Sequence, residues 1–449
     1  MRATGSGPIR LLIGSFLVLI LAGTLLLKLP WATPAGKPIG WIDALFTATS
    51  ATCVTGLAVR DTGTAFTVFG QLVILGLIQA GGLGVLTFSI FILALFRGRV
   101  SLAQRSIFEA TLAARAGGRL WPILRLVFLF TFTTEALGAA LLFFRWLPEM
   151  GAGRAAYYGI FHSVSAFCNA GFGLRPDSLT AWRGDAPVVL TISALIVLGG
   201  LGFFTVYEVV ESRKARSQIS VHSKLALTVS GVLIVLGTAM IWILETGHSF
   251  AGMTFGEQAL AALFQSVTTR TAGFNSVDLS LLTPGSLFFM TLLMFVGGSP
   301  GSAAGGIKTT TLGVLVATMY SRLLGRSHVN AFRRTLEPVT VRNALTIALG
   351  GILGAILALF VLILLQAPAG TVEQERSLFF DYLFETVSAL GTVGLSTGIT
   401  ADLTPASRLL VTLLMFLGRL GPLTLASALA TDRSQLTDWQ YAEEEVMVG

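Results

Sequence analysis

The chain has 449 residues, 53% of them hydrophobic and only 12% charged, with a mean hydropathy of +0.79. That balance excludes a soluble protein of this length and predicts an all-α polytopic membrane protein. The formal net charge of +7 reads as a topology signal and an affinity for membrane lipid of anionic type; no basic groove interleaved with aromatics marks a nucleic-acid partner.

A hydrocarbon core of about 30 Å needs about 20 apolar residues per helix. Eight stretches qualify, near 8–28, 68–95, 121–147, 187–210, 222–244, 285–320, 343–366 and 407–430. The first, with Arg2 and Arg10 at its start, has the look of a signal peptide but no small-residue cleavage site after Leu29, and is expected to be retained.

Within each successive pair of spans lies one of four related stretches: FTATSATCVTGLAV (46–59), FHSVSAFCNAGFGL (161–174), FQSVTTRTAGFNSV (264–277) and FETVSALGTVGLST (384–397). Each reads as a short Ser/Thr-bearing half-helix, then extended backbone, then a glycine followed by Leu or Phe. The half-helices are expected at Ile42–Thr49, Tyr157–Ser165, Gln258–Thr268 and Tyr382–Ser388, and the glycines are Gly56, Gly171, Gly273 and Gly394. The leading Phe stands ten residues before the glycine in three copies and nine before it in the third. A fourfold internal repeat follows. The units are 1–96, 97–210, 211–320 and 321–430, with a tail over 431–449.

The connections 97–120, 211–224 and 321–342 hold 14 Lys/Arg in 60 residues, whereas the four segments bearing the glycine loops hold 7 in 158. The connections and both termini are therefore expected in the cytoplasm, and the loops enter from outside.

Irregular backbone at membrane depth is tolerated only inside protein or along a water-filled path. Four such loops converging on one axis would offer rings of carbonyl oxygens that replace the hydration shell of a monovalent cation, with the half-helices turning their negative dipole ends to the axis. The predicted ion-binding residues are Thr52, Cys53, Val54, Thr55 and Gly56 in the first loop and Cys168, Asn169, Ala170 and Gly171 in the second. The third and fourth loops supply Thr271, Ala272 and Gly273, and Thr392, Val393 and Gly394. Thr52 and Thr55 are also suited to helix capping. Cys53 and Cys168 occupy equivalent places in different loops, too far apart for a disulfide, so free thiols are expected. Arg270 stands at that same place in the third loop. A cation there would repel the ion, so Arg270 is expected behind the filter, paired with Glu385 or, failing that, Asp278.

Glu135, within the third span, is expected to pair with a neighbouring helix or to serve transport. His162 reads as a packing residue behind the second loop. The stretch 285–320 is too long for one crossing, and Gly297, Gly298, Pro300, Gly301, Gly305 and Gly306 interrupt its helix.

The VTGL, NAGF, TAGF and TVGL loops, together with GGSPGSAAGGIKTTT (297–311) and GRLGPLTL (418–425), resemble the Trk/Ktr/HKT superfamily of potassium transporters, KtrB-type membrane subunits most of all and TrkH-type next. The likeness covers nearly the whole chain. It implies four M1–P–M2 repeats, eight transmembrane helices and four re-entrant pore loops around one pseudo-fourfold pore, with one central glycine per loop carrying selectivity. It further implies K+ as the transported ion, with Na+ open as activator or coupled ion, and an intramembrane gate over Gly297, Gly298, Ser299, Pro300, Gly301, Gly305 and Gly306. Lys308 lies close to that gate, and Arg419 matches the arginine that projects into the pore below the filter. By the same resemblance the chain forms a homodimer in the cytoplasmic membrane and docks a KtrA/TrkA-like ring of nucleotide-binding RCK subunits. Its own cytoplasmic loops, and the tail with Glu443 to Glu445, carry no nucleotide fingerprint. An alternating-access cation symporter would show two inverted halves rather than four same-sense units. An intramembrane enzyme would need a nucleophile with its base or a metal-ligand motif, and the sequence offers neither.

Overall fold

A computed structural model describes residues 6–84, 120–215, 218–366 and 372–421. Among them the regular structure is helical, with short 3-10 turns, apart from one hairpin, Asn330–Ala331 (β1) paired antiparallel with Arg334–Thr335 (β2). The longer helices are α1 (Ser6–Leu27), α2 (Trp41–Thr52), α3 (Val68–Gly82), α4 (Leu120–Met150), α5 (Ala152–Phe167), α6 (Ala186–Gly200) and α7 (Phe203–Ala215). There follow α8 (Val221–Glu245), α9 (Phe255–Thr268), α10 (Pro284–Phe295), α11 (Thr309–Leu323), α12 (Pro338–Gln366), α13 (Val372–Gly391) and α14 (Pro405–Leu420).

Polarity is distributed inside out. Val235 and Ile243 on α8 and Leu353, Leu357 and Phe360 on α12 face outward, while Thr47, Ser50, Ser163, Ser165, Thr268 and Ser388 are buried. In water such a surface would carry a large hydration penalty; in hydrocarbon it carries none. Three described helices, Leu124–Met150, Val221–Glu245 and Pro338–Gln366, are long and apolar enough to cross a membrane alone.

Four helices share a start signal and a stop signal. Thr67, Asp185, Thr283 and Thr404 cap α3, α6, α10 and α14, each side chain accepting the backbone N–H three residues on. Fourteen residues after each cap comes a glycine: Gly81, Gly199, Gly297 and Gly418. The helix ends within two residues of it in every case.

This common break revises the expected spans. The stretch 187–210 is not one helix, because α6 and α7 meet at 91° around Leu201 and Gly202. The irregular segment Val296–Lys308, which divides α10 from α11, occupies the corner: Phe203 N donates to Gly301 O at 3.0 Å, and a Cβ on Gly202 would lie 2.5 Å from Pro300 O. The described helices beginning at Val68 and Pro405 end at Gly82 and Leu420; 85–95 and 422–430 lie outside the described residues, as do most of 97–120 and the tail. All four half-helices extend beyond the expected bounds. The third starts at Phe255 because Thr254 and Glu257 form a capping box there.

Candidate functional site

Each of the four short helices α2, α5, α9 and α13 runs into a loop of the same backbone conformation. Two residues before the glycine stands a non-glycine residue of positive φ: Val54 (56°), Asn169 (57°), Thr271 (66°) and Thr392 (49°). The glycines follow at 100°, 71°, 76° and 90°. Three of the four non-glycine residues are β-branched, for which this region is an outlier that only surrounding structure can hold. Hydrogen bonds back to the helix hold it. Thr55 N, Ala170 N and Val393 N donate to Ser50 O, Ser165 O and Ser388 O, five residues back and each at 2.8 Å. The third loop is one residue shorter, and Ala272 N closes it on Thr268 O, four residues back, at 3.0 Å. Alternating the sign of φ flips successive peptide planes, so carbonyls emerge on one side of the loop rather than on both.

The loops meet in chain order. A Cβ on Gly56 would lie 2.5 Å from Ala170 O, one on Gly171 would lie 2.9 Å from Ala272 O, and one on Gly273 would lie 2.8 Å from Val393 O. A Cβ on Gly394 would overlap Thr55 O. The carbonyls of Thr55, Ala170, Ala272 and Val393 thus close a ring with the four glycines, and no side chain fits between them. The hydroxyls of Thr52, Thr55, Thr271 and Thr392 are buried and bond to no protein group. On one face of the ring opens a cavity of about 200 Å3, lined by the four glycines with Asp61, Arg175 and Ser396 among others. The oxygens that close the ring are backbone carbonyls and carry no net charge.

Behind the loops the expected ion pair is absent. Arg270 does point away from the ring, but it donates to Ser230 O (3.2 Å), Ser230 Oγ (3.0 Å) and Gly297 O (3.4 Å). Glu385 instead accepts from Thr400 Oγ1 at 2.6 Å, and Asp278 accepts from Ser280 N at 3.0 Å. The reason is direction: the Arg270 side chain heads toward α8 and the end of α10, elements neighbouring its own loop, and not toward the next half-helix. Cys53 and Cys168 are free and buried. Glu135 takes its hydrogen bond from Gln79 Nε2 on α3 at 3.1 Å, with Cys168 Sγ 3.9 Å away. His162 Nδ1 bonds Tyr158 O at 2.8 Å, and its ring packs on those of Trp146 and Phe274.

Beneath the ring lie the four helix breaks. Their sequences, Gly81-Gly82-Leu83-Gly84, Gly199-Gly200-Leu201-Gly202, Gly297-Gly298-Ser299-Pro300 and Gly418-Arg419-Leu420-Gly421, share one register. This repeat in the second helices was the signal that a reading centred on the loops missed. In the first, second and fourth breaks the leading glycine allows backbone contact with a loop: a Cβ on Gly81, Gly199 or Gly418 would overlap Thr52 O, Phe167 O or Leu390 O. Those three carbonyls each stand four residues before a ring glycine. Arg419 takes the place that Gly82, Gly200 and Gly298 hold elsewhere. Its guanidinium donates to Ala303 O and Gly81 O, joining the 296–308 segment to the break of α3.

The segment itself is pinned at both ends. Gly297 N donates to Ile307 O at 2.9 Å, and Ser299 N to Gly200 O at 2.9 Å. Lys308 Nζ folds back on Ala304 O (2.9 Å) and Gly305 O (3.4 Å). A Cβ on Gly305 would overlap the Thr392 hydroxyl, so the segment lies directly against the fourth loop. Gly298, Ser299, Pro300, Gly301 and Gly306 also lie in it.

Comparison with known proteins places these features in a family. The model for "TrkH: Cation transport protein" matches residues 9–437. The chain is 38% identical to Ktr system potassium uptake protein B of Bacillus subtilis (strain 168), over 98% of this chain and 96% of that protein. It is 39% identical to the Ktr system potassium uptake protein B of Vibrio alginolyticus, over 100% and 96%. With the potassium/sodium uptake protein NtpJ of Enterococcus hirae the identity is 36%, over 98% and 97%. The crystal structure of the potassium transporter TrkH from Vibrio parahaemolyticus has a TM-score of 0.72 over 97% of this chain and 86% of that one; at 19% identity this is a likeness of fold.

Proposed function

This chain belongs to the TrkH family of cation transport proteins, a family of membrane transporters and not of enzymes, and from that premise we propose that it performs gated potassium uptake across the cytoplasmic membrane. The observation that carries the reading is the closed ring of four carbonyls. Dehydrating a potassium ion requires replacement oxygens already in place, and a ring of backbone carbonyls held by glycines supplies them without net charge. The C-terminal ends of α2, α5, α9 and α13 lie beside the ring and favour positive charge there.

In this reading the chain is four M1–P–M2 units around one pseudo-fourfold pore, entered through the 200 Å3 cavity. The filter is Thr52 to Gly56, Cys168 to Gly171, Thr271 to Gly273 and Thr392 to Gly394. The segment from Gly297 to Gly306, with Lys308 and Arg419, is the gate, a fixed positive charge and a backbone plug beneath the filter. Sodium acts as activator or coupled ion, as the name of the Enterococcus relative invites. A homodimer and a cytoplasmic nucleotide-binding ring of RCK type complete the system, with both termini cytoplasmic. The shared register of the four breaks favours this over alternating access between two inverted halves.

Rubidium uptake into proteoliposomes of the purified chain tests it. Saturable uptake competed by potassium is expected. Absence of uptake even with the gate segment deleted would refute it.

A further inference from the structure

The third loop is fastened to its helix break differently from the other three. In the first, second and fourth, a loop carbonyl is packed against the leading glycine of a break, a contact with no freedom to open. In the third, Gly297 faces Gly305 and Gly306 of the 296–308 segment instead, so that segment stands where the packing contact would be. What reaches Gly297 from the third loop is the Arg270 guanidinium, at 3.4 Å from its carbonyl. The opposite side of the same peptide group continues the chain of bonds, because Gly297 N donates to Ile307 O at 2.9 Å and so closes the segment on itself. Arg270 is also anchored twice to Ser230 on α8, at 3.0 and 3.2 Å. Its Nε, buried, bonds to no protein group among the described residues, and its partners there are two carbonyls and a hydroxyl rather than a carboxylate.

We propose that Arg270 is the positioning residue that couples the selectivity loop of the third unit to the gate segment, holding Gly297 in the closed arrangement by a hydrogen bond where the other three units use fixed packing. This inference rests on the filter-and-gate reading above. A hydrogen bond from a side chain anchored elsewhere can be made and broken on each opening while its loop stays in place. When the segment leaves, Gly297 O departs, and the guanidinium keeps its two bonds to Ser230. The link from the third loop to Gly297 is therefore one releasable bond.

The test is a double-mutant cycle on rubidium uptake in proteoliposomes, with Arg270→Gln, deletion of 297–306, and both together. Losing the bond in the intact chain is expected to raise uptake by about threefold or more, a size ordinary for coupled neighbours. In the deletion background, where Gly297 is gone, Arg270→Gln is expected to change uptake by less than about 1.5-fold, since the bond it would remove no longer exists. Equal fold-changes in the two backgrounds, or wild-type uptake from a folded Arg270→Gln, would overturn the coupling. Should Arg270→Gln fail to yield monodisperse protein, Ser230→Ala and Arg270→Lys take its place. Both are expected to raise uptake in the intact chain only, and multiplicative behaviour in both would equally overturn the proposal. Gly273→Ser, run alongside, separates the two ideas. A normal loss of ion preference there, with multiplicative Arg270 effects, removes only the coupling; no response there removes the filter reading beneath it.

Discussion

The carbonyl oxygen of Thr55 fills the space that a Cβ on Gly394 would need, and this contact joins the last loop of the chain to the first. The ring is closed by backbone alone at that seam, across more than 300 residues of sequence. Gly394→Ala should therefore open it: the alanine meets both the overlap and a φ of 90°. Rubidium uptake is expected to fall about tenfold or more, equivalent to roughly 1.4 kcal/mol in the barrier. Gly36→Ala is the control, with a φ of 77° and nothing within 4 Å; it should leave uptake at the wild-type level.

A polar clasp reinforces the same seam. Asp43, buried in the first turn of α2, receives Arg408 Nη1 of α14 at 2.7 Å and Arg60 Nε at 3.2 Å. Arg408 is mostly buried and Arg60 largely exposed. Arg408→Ala should cost about 2 kcal/mol of stability, because it removes the shorter and better buried of the two bonds to a buried carboxylate. Arg60→Ala should cost under about 1 kcal/mol. Thermal unfolding in detergent distinguishes them, and equal losses would mean that the clasp is not directional.

Arg419 is the one bulky residue among the four equivalent break positions. Removing its bonds to Ala303 O and Gly81 O, and its charge, should speed uptake about fivefold in Arg419→Ala, the gain from a barrier lower by roughly 1 kcal/mol. Arg419→Lys, which keeps the charge but not the two-sided reach, should fall between. Unchanged uptake in both would assign Arg419 to packing alone.

The segment 175–182 carries a pH dependence of its own. The Arg175 guanidinium beside Asp177, with a further bond from Thr180, holds the Asp177 carboxyl below its ordinary range. A carboxyl so lowered stabilises the folded segment above the ordinary Asp value and loses that contribution as pH falls through the folded value. Amide exchange over 175–182 should therefore quicken below about pH 4, and Asp177→Asn should exchange quickly at every pH. The pair is well exposed, so global stability should barely move.

Much of this was legible in the sequence because the relevant signals are local. The glycine of each loop, its Ser/Thr-bearing half-helix and the interruption after Phe295 follow from short patterns with fixed spacing. The bend at Gly202 was not, because Leu201-Gly202 reads as a permissive pair inside an apolar run, and only the intruding Pro300 and Gly301 carbonyls explain the corner. Arg270 was placed behind its loop correctly in direction but with the wrong partner. Electrostatics alone selects Glu385, whereas the side chain can reach only what stands beside it, Ser230 and the Gly297 carbonyl. The fourteen-residue interval from helix cap to break glycine was in the sequence throughout, and it becomes visible once the caps are known.

In the proposed mechanism four neutral carbonyls, kept in place by four glycines, choose the ion. Rubidium uptake with sodium as competitor, compared between the wild type and Gly273→Ser, tests it most directly. A serine there meets a φ of 76° and the Val393 carbonyl at 2.8 Å, so it must displace part of the ring. Sodium is expected to compete weakly with the wild type and about tenfold better with the variant, a change of roughly 1.4 kcal/mol in relative affinity. A folded Gly273→Ser protein with wild-type rubidium uptake and unchanged sodium competition would contradict it.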